Sequence, residues 1–148
     1  MRRFKQKGSS TVEFAMMLPL LLLLVLMVSE FGTLFYQLNA LNKSVQSAAR
    51  YLSDVSVNKK NTTTQMTNAQ NLAVYGNSAG TGTAVLPNLT QANFVITNPD
   101  SEHVQIVATY DAYLMLGDSL NALMQMIGGS AATDFMTLNA SSVMRFAQ

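Results

Sequence analysis

Cysteine is absent, histidine occurs once, and charged residues make up only 11% of the 148-residue chain. Without cysteine no disulfide, thiolate metal site or cysteine nucleophile can form, and the compartment stays open. The charged fraction lies well below the roughly 25% usual in soluble domains, while apolar residues reach 49%. That imbalance points to a membrane segment. Basic residues are scarce beyond the first few positions. Arg2, Arg3, Lys5 and Lys7 all precede Gly8, and the next, Lys43, stands alone. No basic stripe runs through the remainder, so a nucleic-acid partner is not expected.

Catalytic patterning is equally thin. The one histidine, His103, alternates onto the polar side of a candidate strand, and no triad or metal-ligand spacing surrounds it. Asp100 and Glu102 form a carboxylate pair on paper, but NPDSE reads better as a polar turn. GNSAGTGTAVLPNLT is rich in glycine, yet no lysine follows and no strand leads into it, so it is a loop and not a phosphate cradle. An enzyme is not expected, and neither is a cofactor or a metal.

What the chain does have is a long apolar run. From Phe14 to Val28 every residue is apolar or proline, and the stretch continues to Tyr36. Residues 14–36 would make a helix of about 35 Å at roughly 1.5 Å per residue, enough to cross a hydrocarbon core about 30 Å thick. The four basic residues before it place the N-terminus in the cytoplasm and the rest outside. Pro19 removes one backbone donor and is expected to kink or loosen the helix there.

Beyond the span, Leu34, Leu38, Leu41, Val45, Ala48, Leu52 and Val55 recur at alternating spacings of four and three. This is a near-heptad seam, with Gln37, Lys43, Gln46, Ser47 and Arg50 lying off it. One helix from about Ser10 to about Ser56 would be roughly 70 Å long. Its seam can pack on the chain's own domain, on neighbouring copies, or on both.

The rest reads as a small α+β domain. NKKNTTTQMTN (58–68) is a polar loop, and Met66, Ala69, Leu72 and Ala73 make a short helical face ended by Gly76. NFVIT (93–97) and HVQIVATY (103–110) form an antiparallel hairpin with Val104, Ile106, Ala108 and Tyr110 on one face. Leu116, Leu120, Leu123, Met124 and Ile127 fit a second short helix. In the tail, Met136, Leu138, Ala140, Met144 and Phe146 alternate as a half-buried strand. The fold class is therefore α+β: a long N-terminal transmembrane and amphipathic helix, then an antiparallel sheet of about three strands with one or two short helices.

Three readings compete for the N-terminus. A secretory signal peptide requires small residues at a cleavage site after the apolar block; LMVSEFG offers none. A plain uncleaved anchor, carrying an external binding or scaffolding module, fits the hydropathy but explains neither Glu13 nor Glu30. The third reading is a leader cut ahead of the apolar block.

KGSSTVEF resembles the processing site of type IV pilin-like precursors, and EFAMMLPLLLLLVLMVSEFG resembles the TadE branch, minor pseudopilins of tight-adherence (Flp) pilus systems. The likeness is specific over residues 8–36 and looser over QNLAVYGNSAGTG, the strand ending at Tyr110 and the closing SVMRF. It implies that a prepilin peptidase cuts between Gly8 and Ser9, with Glu13 and Phe14 serving recognition and assembly. Glu30 and Gly32 match the second element of the family pattern. The domains expected are a leader over 1–8, a helix over 9–56 that spans the membrane over 14–36, and a periplasmic α+β domain over 57–148. Implied partners are the peptidase, other pilins or pseudopilins, the inner-membrane assembly platform, the bilayer, and copies bound through the N-terminal helix. The implied place is the bacterial inner membrane, single-pass, with entry into an envelope-spanning pilus where the subunit polymerises.

The two glutamates have a physical reading beside the family one. A cut before Ser9 creates an α-ammonium at the start of an apolar helix, and Glu13 lies one turn further in. A lone ammonium or carboxylate in lipid is costly, whereas a pair makes both tolerable and fixes register. The partner amine can be the chain's own or a neighbour's; the competing reading is that Glu13 snorkels to cytoplasmic headgroups. Glu30, about 25 Å further along the axis, sits near the outer interface, either solvated or paired in a helix–helix contact beside Gly32.

Overall fold

In the computed structural model, which describes residues 9–55, 62–114, 117, 125, 128 and 136–147, one helix dominates. Helix α1 runs unbroken from Ser9 to Val55, 47 residues, and passes through Pro19 without ending. At 1.5 Å per residue that is about 70 Å. Among the described residues nothing packs on the first half: every residue from Ser10 to Ser29 is exposed. The second half forms the spine of the domain. A helix half that length suits the apolar run alone; the seam that follows prolongs it, because each further turn finds something to bury against.

Helix α2 (Thr63–Tyr75) lies along α1 and opens with a capping box. Thr62 Oγ1 accepts from the Gln65 amide at 3.3 Å, and Gln65 Oε1 accepts from the Thr62 amide at 2.9 Å. This reciprocal pair satisfies two of the N–H groups that a helix start leaves open. It also corrects the loop expected over 58–68: the helix begins at Thr63, inside that polar stretch, because Thr and Gln three apart are a helix start despite their polarity. Residues 58–61 of that loop lie outside the described ones. Gly76 ends α2 in the left-handed region, φ 74°, with its amide on Leu72 O.

The chain then crosses residues 77–90 as an ordered loop. The Val85 amide bonds Val74 O at 2.8 Å, and Leu86 and Leu89 are buried in the core. A 3-10 turn (Gln91–Asn93) leads into β1 (Phe94–Thr97), followed by β2 (His103–Asp111) and β3 (Thr137–Arg145). The sheet is antiparallel in the order β1-β2-β3, with Phe94 opposite Ala108 and Tyr110 opposite Leu138. The expected hairpin and tail strand are both present. The second short helix expected from Leu116 to Ile127 falls almost entirely outside the described residues.

Alternation sorts the sheet into two faces. Phe94, Val104, Ile106, Ala108, Tyr110, Leu138, Ala140 and Phe146 turn inward and are buried. They meet Leu41, Val45, Ala48, Ala49 and Leu52 of α1 and Ala69, Ala73 and Val74 of α2 in one core. Small alanines on both helices let them approach closely, while the larger seam residues fill the space over the sheet. The ends of this layer are tied by backbone: the Ala147 amide reaches Ser53 O at 3.0 Å at the far end, and Gln37 grips Tyr113 at the near end.

Candidate functional site

The residues singled out by the sequence divide between the two halves of α1. Arg2, Arg3, Lys5, Lys7 and Gly8 lie outside the described residues. Ser9 is the first residue of α1, and Glu13, four positions on, shares its helical face. Both Glu13 and Phe14 stand in the bare half, Phe14 at 64% exposure. None of the described residues covers them.

Glu30 sits where the bare half ends. It is half-buried, and its Oε1 is fully enclosed with no hydrogen-bond donor among the described residues. It lines a cleft of about 280 Å³ with Met27, Phe31, Leu34, Leu114 and Met136. A carboxylate oxygen in apolar surroundings is unfavourable by several kcal/mol unless a donor reaches it. Gly32 is exposed, and a Cβ placed on it would touch nothing within 4 Å. The fold of this chain alone therefore makes no demand for glycine there.

The seam resolves one open alternative. Leu41, Val45, Ala48 and Leu52 are buried at 0–1% exposure within the chain's own core, flanked by half-buried Leu34, Leu38 and Val55. The seam packs on its own domain. Gln37, expected off the seam, is a correction: it is 2% exposed. Its Nε2 donates to Tyr113 O at 2.6 Å and its Oε1 accepts from the Tyr113 amide at 2.9 Å. The side chain thus completes both polar groups of one residue, as a neighbouring strand would. Hydropathy passed over it because glutamine scores as polar, but its position was readable, three residues after Leu34 and four before Leu41. Ser44, at 6%, lies on the same widened face.

At the opposite end, the β1–β2 turn is a small electrostatic knot. Asp100 accepts from the Glu102 amide at 2.8 Å and meets His103 Nδ1 at 2.8 Å, while Arg145 Nη2 bridges Glu102 Oε2 at 3.1 Å. The Glu102 amide, then the His103 side chain, hold the Asp100 carboxyl below its usual range. These contacts close the turn and tie it to β3, so the carboxylates read as turn chemistry. Burial raises the Tyr110 hydroxyl above its ordinary value; that hydroxyl donates to Pro87 O at 2.8 Å and pins the loop over the core.

These features define a small α+β head carried on the far half of a single helix whose near half is long and apolar enough to cross a membrane. Residues 8–50 match the family model described as TadE-like protein, so the stretch holding Ser9, Glu13, Glu30 and most of the seam is TadE-like. No curated protein and no solved structure matches the chain.

Proposed function

We propose that the protein is a minor pilin or pseudopilin, made as a precursor, cut between Gly8 and Ser9 by a prepilin peptidase, and used in assembling a Flp pilus or a related secretion machine. The observation that carries this is the division of α1: a TadE-like helix, bare and apolar through Ser29 and then committed to a folded head. A subunit of that form can wait in the inner membrane with its N-terminus in the cytoplasm and its head in the periplasm, then leave along the helix axis as it joins neighbours. Its role is structural and not catalytic. Glu13 is the charge that would meet the new α-ammonium of Ser9, its own or a neighbour's, once both leave water.

The test is N-terminal sequencing or intact mass of the protein from cells with and without the peptidase. A chain starting at Ser9 only where the peptidase is present supports the proposal. A chain starting at Met1 in both overturns it and leaves an uncut anchor with an external binding module. In processed protein, Glu13→Ala should keep membrane insertion and impair assembly; unchanged piliation or secretion would remove the pairing argument.

A further inference from the structure

We infer that the head is seated in the outer leaflet, its lower rim of Tyr113, Leu114 and Met136 immersed in lipid beside Phe31 and Phe35. It is not held clear of the bilayer on its helix. This inference rests on the membrane-spanning part of the reading above and needs neither processing nor assembly.

Depth is set by the helix. Counting from Phe14, where the apolar run begins, about 30 Å of hydrocarbon ends near residue 34 at 1.5 Å per residue. Tilt moves that boundary to later residues and sinks the rim further. Yet the head already touches α1 below the boundary: Leu114 and Met136 line one cleft with Met27, Glu30, Phe31 and Leu34. Whatever sits beside Met27 and Phe31 sits at the depth of acyl chains or their headgroup edge.

The rim has the composition that depth requires. Met136 is 54% exposed and Tyr113 is 46% exposed, next to Phe31 and Phe35 at 58% and 64%. This apolar surface is continuous with the bare helix, and aromatic side chains favour the membrane–water interface. One rung further up the sheet the character changes. Asp111 faces Thr137, with Thr137 Oγ1 bonded to Asp111 Oδ1 at 3.2 Å, and Thr109 faces Asn139. The switch from apolar to polar along the β2–β3 ladder marks the level at which water begins.

Backbone at this depth must be satisfied internally, and at two residues of the rim it is. The Ala112 amide bonds Met136 O at 3.0 Å, extending the ladder one step, and Gln37 takes both polar groups of Tyr113. Gln37 thereby fixes the height of the rim against the helix. Glu30 lies in the same layer, at the cleft it shares with Leu114 and Met136.

The absence of cysteine makes single-cysteine labelling clean. Full-length protein carrying an environment-sensitive fluorophore at Tyr113→Cys, Met136→Cys, Val95→Cys or Leu22→Cys would be reconstituted in phosphatidylethanolamine/phosphatidylglycerol vesicles. Lipids bearing a nitroxide near the headgroup should quench the labels at 113 and 136, which should resist aqueous iodide. Val95, 58% exposed on the outer sheet face, should show the reverse. Leu22 should respond to a nitroxide near the chain end. Labels at 113 and 136 as open to iodide as the one at 95, with normal quenching at 22, would overturn the inference and leave the span intact. No lipid quenching at 22 would overturn both.

Discussion

Gln37 offers the sharpest measurable consequence of the structure. Its side chain is 2% exposed and makes two hydrogen bonds to Tyr113, 76 residues away in sequence. Each such bond contributes about 1 kcal/mol net, and a buried partner left unmet costs about 1–3 kcal/mol. The two bonds together set the expected destabilisation for Gln37→Met at about 2 kcal/mol. Methionine keeps most of the volume and isolates the hydrogen bonds from packing; Gln37→Ala adds a cavity and should cost about 3 kcal/mol. Hydrogen exchange on full-length protein in micelles reads the effect directly, because the Tyr113 amide is one of the two groups held. A loss of about 2 kcal/mol corresponds to roughly 30-fold faster exchange if that bond opens locally. Gln46→Ala, at an exposed position of the same helix, should stay within about 0.5 kcal/mol. Unchanged Tyr113 exchange and an unchanged urea midpoint in Gln37→Met would refute the claim that this residue clamps the head to α1.

Leu52→Ala, at a position 0% exposed, should lower head stability by about 2–5 kcal/mol in urea titration of dilute, unassembled protein; a neutral result would mean the seam serves other copies. Gly76→Ala should cost about 1 kcal/mol, all of it from the left-handed backbone, since a Cβ there meets nothing within 4 Å. The Asp100 carboxyl is held below its ordinary value, so its contribution is fully present above that ordinary value and lost as pH falls through the folded one. Asp100→Asn should therefore flatten the acid limb of a stability–pH curve below about pH 4.

The sequence exposes those elements whose signal is local and periodic. The apolar run, the seam, the period-two faces of β2 and β3 and the Gly76 stop all follow from spacing within a few residues. Two features escaped for opposite reasons. The start of α2 was hidden because its polar residues suggest a loop until Thr62 and Gln65 are read as a capping pair. Gln37 was hidden because its partner is a backbone group far along the chain, and no pattern near residue 37 names residue 113. The glutamates illustrate a third case. Glu13 gains a partner only through the proposed cut before Ser9, and the described residues give it no contact to check. Glu30 has the converse: a buried oxygen and a cleft around it, without a spacing that assigns it a partner.

The packing of the seam constrains how copies of this chain can meet. Leu41, Val45, Ala48 and Leu52 are already consumed by the head, so a neighbour cannot use them without unfolding it. Association through α1 is left the bare half, from Ser10 to Ser29, where the only charge is Glu13, and the exposed face beyond it with Phe31, Phe35 and Tyr36. Leucine-rich faces slide past one another with little preference, because lipid tails and neighbouring leucines offer similar surroundings. A single carboxylate in such a surface supplies what the leucines cannot, a fixed height at which charges must coincide. On the proposed function, stability and assembly are carried by different stretches of one helix. Substitutions in the seam should unfold the head before they touch assembly, and substitutions at Glu13 should disturb assembly while the head stays folded.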